Sequence, residues 1–250
     1  MADKDLHAEL AAEALDAAPG VLLRRLPGRE VFALNHPEGG LVLVKRFSER
    51  LVWPALGLRS PAQREAGVVE ELLREGFPVP AVLAVHERRA GWLGRRSVLL
   101  LEWIEHRQTL RELLREASGE EARHRARKLA ELVTRLHVMG WHHRDLYLQH
   151  ILVRADELVL IDLGRARRSS SLRERWFVKD IAGLVHSCPR AVPQRARLEF
   201  FVRYARGRGM SRDRRRHFLA AALAKERRMA AHTPRHGEEQ HARGQGWTDR

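Results

Sequence analysis

Short runs of alternating apolar and polar residues dominate the first hundred positions. Residues 21–26 (VLLRRL) and 41–47 (LVLVKRF) are strand-sized, 30–34 (EVFAL) alternates more weakly, and His36-Pro37-Glu38-Gly39-Gly40 separates the last two. Apolar alternation at period two predicts strands, and Pro and Gly punctuate the turns between them. The three runs predict an antiparallel meander. Residues 79–87 and 95–104 predict two more strands, turning near Gly91 and Gly94. Between the groups, a loop at 48–60 containing Trp53-Pro54 leads into Ser60-Pro61 and an amphipathic run to about residue 75, followed by Gly76. Ser as N-cap, Pro at the first helical position and Gly beyond the last turn predict one helix. Residues 1–18 are alanine-rich and predict a short amphipathic helix or a loose leader.

After residue 105 the apolar period lengthens to that of helices. Residues 109–117 and 120–139 predict two, the second carrying Leu129, Leu132, Val133 and Leu136 on one face and ending at Gly140. A loop-like stretch at 141–154 contains the apolar Ile151-Leu152-Val153, and 158–163 predicts a short strand. Helices are expected over 179–188, 191–206 and 211–229, with a polar tail from His232 expected to be disordered. The predicted class is α+β in two lobes. The divisions are a leader or helix at 1–19, a five-stranded antiparallel N-lobe with one helix at 20–104, a mainly helical C-lobe at 105–231, and the tail at 232–250.

Composition narrows the chemistry. The 250 residues carry 46 Lys plus Arg against 32 Asp plus Glu, a formal net charge of +14 that favours anionic partners. Only five of the cations are lysines: Lys4, Lys45, Lys128, Lys179 and Lys225. The arginines are spread and aromatics make up 6%, which argues against a nucleic-acid interface of clustered cations and stacking rings. Cys188 is the single cysteine, so neither a disulfide framework nor a cysteine metal site forms within one chain. No apolar run approaches the ~20 residues a membrane-spanning helix needs. The acidic start lacks the basic region of a secretory signal. The chain is therefore expected to be soluble and intracellular.

Two motifs carry the chemistry. His143-Arg144-Asp145-Leu146 matches the start of the protein-kinase catalytic loop, H-R-D-L-x-x-x-N, and Asp162-Leu163-Gly164 matches D-F-G with Leu for Phe. Phosphoryl transfer needs one carboxylate to take the acceptor proton and another to hold metal on the phosphates. Asp145 is the candidate for the first role, with Arg144 and His143 completing the catalytic motif, and Asp162 for the second. Gly164 is expected to supply backbone freedom for the turn after Asp162. His150 stands where the motif has its metal-binding Asn. It either binds metal, binds phosphate when protonated, or orients Asp145. Lys45, the only lysine of the small lobe, falls in the third predicted strand, and Glu65 lies on the first helix beside the alternatives Glu70 and Glu71. A kinase pairs such a lysine and glutamate over the α/β-phosphates of ATP. No G-x-G-x-x-G is present. Pro27-Gly28-Arg29 is either a reduced phosphate cover, with Gly28 at the turn and Arg29 adding charge, or an ordinary hairpin turn. At the lobe junction the Glu102 carbonyl and Ile104 N–H would meet adenine, unless 101–104 is a plain edge strand. Asp180, a lone acid in an apolar helix, is read as a brace for the catalytic loop.

The stretch HRDLYLQH, residues 143–150, resembles the bacterial lipopolysaccharide core kinases, the heptose and Kdo kinases. In that family HRDLYL is followed by one residue and then histidine, so His150 is a family trait. Similar segments are Lys45-Arg46, Ala62-Gln63-Arg64-Glu65, Gly76-Phe77-Pro78-Val79-Pro80 and Val178-Lys179-Asp180-Ile181, and the resemblance spans about residues 20–205. It implies a two-lobed protein-kinase-like fold, ATP with Mg2+ (or Mn2+), and transfer to a sugar hydroxyl of lipid-linked core oligosaccharide. It also implies a cytoplasmic protein, peripheral on the anionic inner face of the cytoplasmic membrane. The 14 residues from Gly164 to Phe177 are short for a protein-kinase activation segment and no A-P-E follows. That favours a small or glycolipid acceptor over a protein, and the retained Lys45, Asp145 and Asp162 argue against a non-catalytic scaffold.

Overall fold

The computed structural model describes residues 2–17, 20–50, 59–105, 108–169 and 174–231. The loop around Trp53-Pro54, part of the segment after Gly164, and the tail from His232 lie outside the described residues.

Strands β1 (Val21–Leu26), β2 (Arg29–Asn35), β3 (Leu41–Arg50), β4 (Val82–Ala90) and β5 (Gly94–Glu102) form one antiparallel sheet in the order β1-β2-β3-β5-β4. The strand period decides what each face carries. Val42 and Val44 of β3 face helix α1 (Ala2–Asp16), packing with Phe32, Leu34, Val98 and Leu100 against Leu10, Ala11, Ala14 and Leu15. Leu43 and Phe47 face the other side, with Leu99, Leu101 and the Ala62 and Ala66 of helix α2 (Pro61–Arg74). Lys45 lies between Leu43 and Phe47 in this alternation, so its ammonium is delivered to the α2 side.

Of the two expectations for residues 1–18, the helix forms, and it closes the outer face of the sheet. Arg46 of β3 donates to the Ala14 carbonyl at the C-terminal end of α1 at 3.2 Å, where a cation suits the orphan carbonyls. Leu15 is 1% exposed. Leu15→Ala is expected to cost about 2–4 kcal/mol through lost burial and a residual cavity. A midpoint shift in urea unfolding at constant slope checks it.

Helix α2 starts as its sequence dictates. The Ser60 hydroxyl accepts from the Gln63 N–H, and the Gln63 side chain accepts from the Ser60 N–H. Beyond the lobe junction come β6 (Gln108–Thr109), α3 (Leu110–Glu116), α4 (Gly119–Val138), β7 (Trp141–His142), β8 (Ile151–Arg154), β9 (Glu157–Leu160), β10 (Arg167–Arg168), α5 (Glu174–Ser187), α6 (Gln194–Gly207) and α7 (Arg212–Ala230). One apolar core runs from Val69 and Leu72 of α2 through α4, α5 and α6 to Phe218 and Ala222 of α7. Among the described helices none is long and apolar enough to cross a membrane.

The strand expected over 158–163 ends early, at Leu160. Asp162 adopts the left-handed conformation (φ 61°, ψ 55°), which no strand continues through, and a 3-10 turn follows at Leu163–Arg165.

Candidate active site

The catalytic-loop motif is bound to its surroundings by backbone hydrogen bonds. His150 N–H donates to the Tyr147 carbonyl and Ile161 N–H to the His150 carbonyl, which ties the loop to the strand carrying Asp162. Leu146 and Leu148 are buried, and Tyr147 between them turns to the cleft with its ring edge-on to His150. Helix α5 lies so close that a Cβ on Gly183 would sit 2.4 Å from the Leu146 carbonyl oxygen.

Asp180 on α5 holds the loop. Its Oδ2 accepts from His143 N–H and its Oδ1 from Arg144 N–H, both at 2.7 Å. Arg144 sits at φ 71°, so the carboxylate pins a backbone conformation that L-residues seldom adopt. Burial raises the Asp180 pKa, but hydrogen bonding from His137 and the His143 N–H outweighs it and the group stays below its ordinary value. His137 in turn reaches Tyr204 at 2.8 Å. His143 is fully buried and its Nε2–H donates to the Ile161 carbonyl at 3.0 Å. Arg144 stacks over Trp176 at 4.8 Å. These geometries tie both residues into the loop: His143 is enclosed, and Arg144 is half-buried against Trp176.

Across the cleft, Lys45 pairs with Glu65, and both are almost fully buried. Glu65 is thereby singled out from the helix glutamates; Glu71 pairs instead with Arg168. Lys45 Nζ also lies 3.6 Å from Asp162 Oδ1, and Arg29 donates to the same oxygen at 2.7 Å. Burial raises the Asp162 pKa, yet Lys45 and Arg29 reverse this and hold it far below the carboxylate range. Gly164 does not supply the expected backbone freedom, because Asp162 takes the left-handed turn itself. Its missing Cβ makes room for Glu65, whose Oε2 would stand 2.9 Å from that atom.

His150 fixes its own tautomer. The Asp145 carbonyl can only accept, so the 2.9 Å contact requires Nδ1–H. Burial lowers the His150 pKa despite the nearby Asp162. The neutral ring then presents its Nε2 lone pair toward Asp162 Oδ2, 3.8 Å away. The ionised Asp162 carboxylate, completed by phosphate oxygens, fits a divalent cation of the kinase type, which takes few protein ligands, while the His150 imidazole beside it is a less usual ligand for so hard an ion. Asp162 and His150 would hold it.

Asp145 faces Arg165, whose Nη1 donates to Oδ2 at 2.9 Å and Oδ1 at 3.1 Å, and Lys179, whose Nζ is 3.6 Å from Oδ1. Asp145, Asp162 and His150 line one cleft of about 840 Å3 with Arg24, Leu26 and Arg29 above and Arg111, Lys225 and Arg228 below. Gly28 is not among the described residues lining that cleft. It is a two-residue hairpin turn (φ 72°) whose carbonyl accepts from Ser48 N–H at 2.9 Å, and a Cβ there would meet the Ser48 carbonyl at 2.7 Å. At the junction, Glu102 N–H and side chain both bond to the Ala81 backbone, and Ile104 packs on Leu152, Val159 and Ile161. Trp141 is buried, His142 stacks on Trp176, and Cys188 is half-buried.

Arg165 and Lys179 were missed as site residues. Arg165 directly follows Asp162-Leu163-Gly164, and Lys179 is one of five lysines; that scarcity was the available signal for it.

His137, His142 and His150 are all kept neutral mainly by burial, with lowered pKa values. The unfolded chain takes up protons near pH 6.5 that the folded chain refuses, so stability falls as pH drops through that range. Each histidine contributes up to about 1.4 kcal/mol per pH unit. Melting temperature is expected to fall from pH 7.5 to 5.5, and a flat profile would contradict the neutral assignments.

A strand lysine buried against a helix glutamate and 3.6 Å from Asp162, which shares a cleft with Asp145, defines the class: a protein-kinase-like, two-lobed α+β fold. Residues 42–204 match the model of the Lipopolysaccharide kinase (Kdo/WaaP) family, and the chain belongs to that family. It is 27% identical over 223 residues to the lipopolysaccharide core heptose(I) kinase WaaP of Pseudomonas aeruginosa, covering 78% of this chain and 80% of that one. The Escherichia coli WaaP is 27% identical over 175 residues, covering 65% and 64%. A probable bifunctional tRNA threonylcarbamoyladenosine biosynthesis protein of Methanoculleus marisnigri is 30% identical over 172 residues, 62% of this chain. The match spans only 29% of that relative's length. A solved structure of WaaP in complex with acyl carrier protein superposes with a TM-score of 0.67 at 27% identity, covering 87% of this chain and 91% of the other.

Proposed function

We propose that the chain transfers the γ-phosphoryl group of ATP to a sugar hydroxyl, heptose or Kdo, of the lipopolysaccharide inner core. The observation that carries this reading is that Asp145 and Asp162 line one cleft, with Lys45 3.6 Å from Asp162, within a chain of the Kdo/WaaP family. Asp145 orients the acceptor hydroxyl and takes its proton. Lys45, held by Glu65, meets the α/β-phosphates, with Arg29 beside it and the Gly28 turn above. The Glu102 carbonyl and Ile104 N–H take the adenine edge, with Ile104, Leu152 and Val159 as the apolar surface below. Mg2+ or Mn2+, bound at Asp162 and His150, would neutralise phosphate charge. His143, Arg144 and Asp180 keep Asp145 in place. The basic cleft wall suits an anionic glycolipid, and the reading has the chain act in the cytoplasm, peripheral to the inner membrane face. A kinase of another small molecule or a protein side chain is the second reading, favoured by the match to the bifunctional tRNA-modification relatives.

Phosphate transfer from labelled ATP to purified core lipopolysaccharide, with and without chelator, tests this. Incorporation by the wild-type chain that ceases with chelator is expected. No incorporation into core lipopolysaccharide sinks the acceptor assignment, and chelator-resistant transfer sinks the metal role.

A further inference from the structure

Two cations in the upper part of the cleft, Lys45 and Arg29, are already engaged. Lys45 holds Glu65 and leans on Asp162, and Arg29 is bonded to Asp162. The reacting end has only Arg165 and Lys179 beside Asp145 among the described residues. They differ in anchorage. The Arg165 side chain is 60% exposed and closes over both Asp145 oxygens, where an acceptor hydroxyl has to sit. The Lys179 side chain is 23% exposed and rises from helix α5. The next residue on that helix, Asp180, fixes the catalytic loop through two 2.7 Å bonds. One helical turn therefore sets both the loop and the ammonium, so the distance between Lys179 and Asp145 is pre-organised. A cation fixed before reaction is the arrangement that stabilises charge developing in a transition state.

We propose that Lys179 is a further catalytic residue, its ammonium bridging Asp145 and the transferring γ-phosphoryl group. The proposal rests on the kinase reading above and adds the residue that neutralises the phosphoryl oxygens. In the step, the acceptor oxygen bonds to the γ-phosphorus while the bond from phosphorus to the β,γ-bridging oxygen breaks. The electron pair leaves with ADP, the hydroxyl proton passes to Asp145, and Lys179 keeps its protons throughout. Arg165 is displaced by the acceptor. Burial lowers the Lys179 pKa while Asp145 opposes the shift.

The test compares wild type with Lys179→Met, Lys179→Gln and Lys179→Arg. Phosphoryl transfer is followed with core lipopolysaccharide, and MgADP affinity is measured with and without aluminium fluoride, which mimics the planar phosphoryl group. Lys179→Met is expected to lower kcat by about 100- to 1000-fold with KM for ATP within about threefold. It is also expected to abolish the tightening of MgADP by aluminium fluoride. Lys179→Arg keeps part of both, and Lys179→Gln neither. A Lys179→Gln variant as active as Lys179→Arg overturns the proposal, since a neutral hydrogen-bonding side chain would then suffice. So does a Lys179→Met variant that retains the aluminium fluoride effect. That binding arm needs no acceptor, so wild-type failure on lipopolysaccharide would remove the acceptor assignment while Lys179 is still judged.

Discussion

Asp145→Asn is expected to lower kcat for phosphoryl transfer by about 10³-fold while leaving MgATP affinity and melting temperature close to wild type. General-base contributions run from about 10² to 10⁴, and Asn preserves shape while removing the proton acceptor. The Asp145 carboxylate pairs with the Arg165 and Lys179 side chains and with no backbone group among the described residues. Steady-state kinetics decide the matter: a variant with intact kcat and a raised KM for acceptor would make Asp145 a binding group and remove the base role.

Asp180→Ala is expected to be the most destabilising single change. It leaves the His143 and Arg144 N–H groups buried without acceptors, at about 1–3 kcal/mol each. It also removes what holds Arg144 at φ 71°. A total of about 3–5 kcal/mol, or roughly 10 °C in melting temperature for a chain this size, follows. Activity should fall with it, because Asp145 is the next residue along the released loop. Asp180→Asn, which keeps one acceptor oxygen, should recover part of both. Calorimetric melting of the two variants is the check. An Asp180→Ala chain that melts with wild type would mean the loop is held by other contacts.

Much of this was legible in linear order. Period-two alternation located the five strands, and it placed Lys45 on the same face as Leu43 and Phe47. Ser60-Pro61 announced the start of α2, and HRDL and DLG marked the two aspartates because each motif is local. The Asp180 brace was also foreseen, since a kinase fold has a bracing aspartate on that helix and a lone acid in an apolar helix must be satisfied inside. The 158–163 strand was overrun because alternation does not reveal a single left-handed residue, here Asp162. Gly164 was assigned backbone freedom where it provides space.

The sequence by itself determined the lobes, the order of the motifs and the family resemblance, because these depend on local periodicity and short spacings. Only the tertiary structure decided which charges meet. It chose Glu65 over Glu70 and Glu71, brought Arg29 onto Asp162, set Lys179 and Arg165 against Asp145, and turned the His150 lone pair toward Asp162. These groups lie 12 to 133 residues apart in the chain. Ion pairs are selected by depth and distance across packed elements, and a one-dimensional pattern encodes which face a residue occupies but not what stands opposite it.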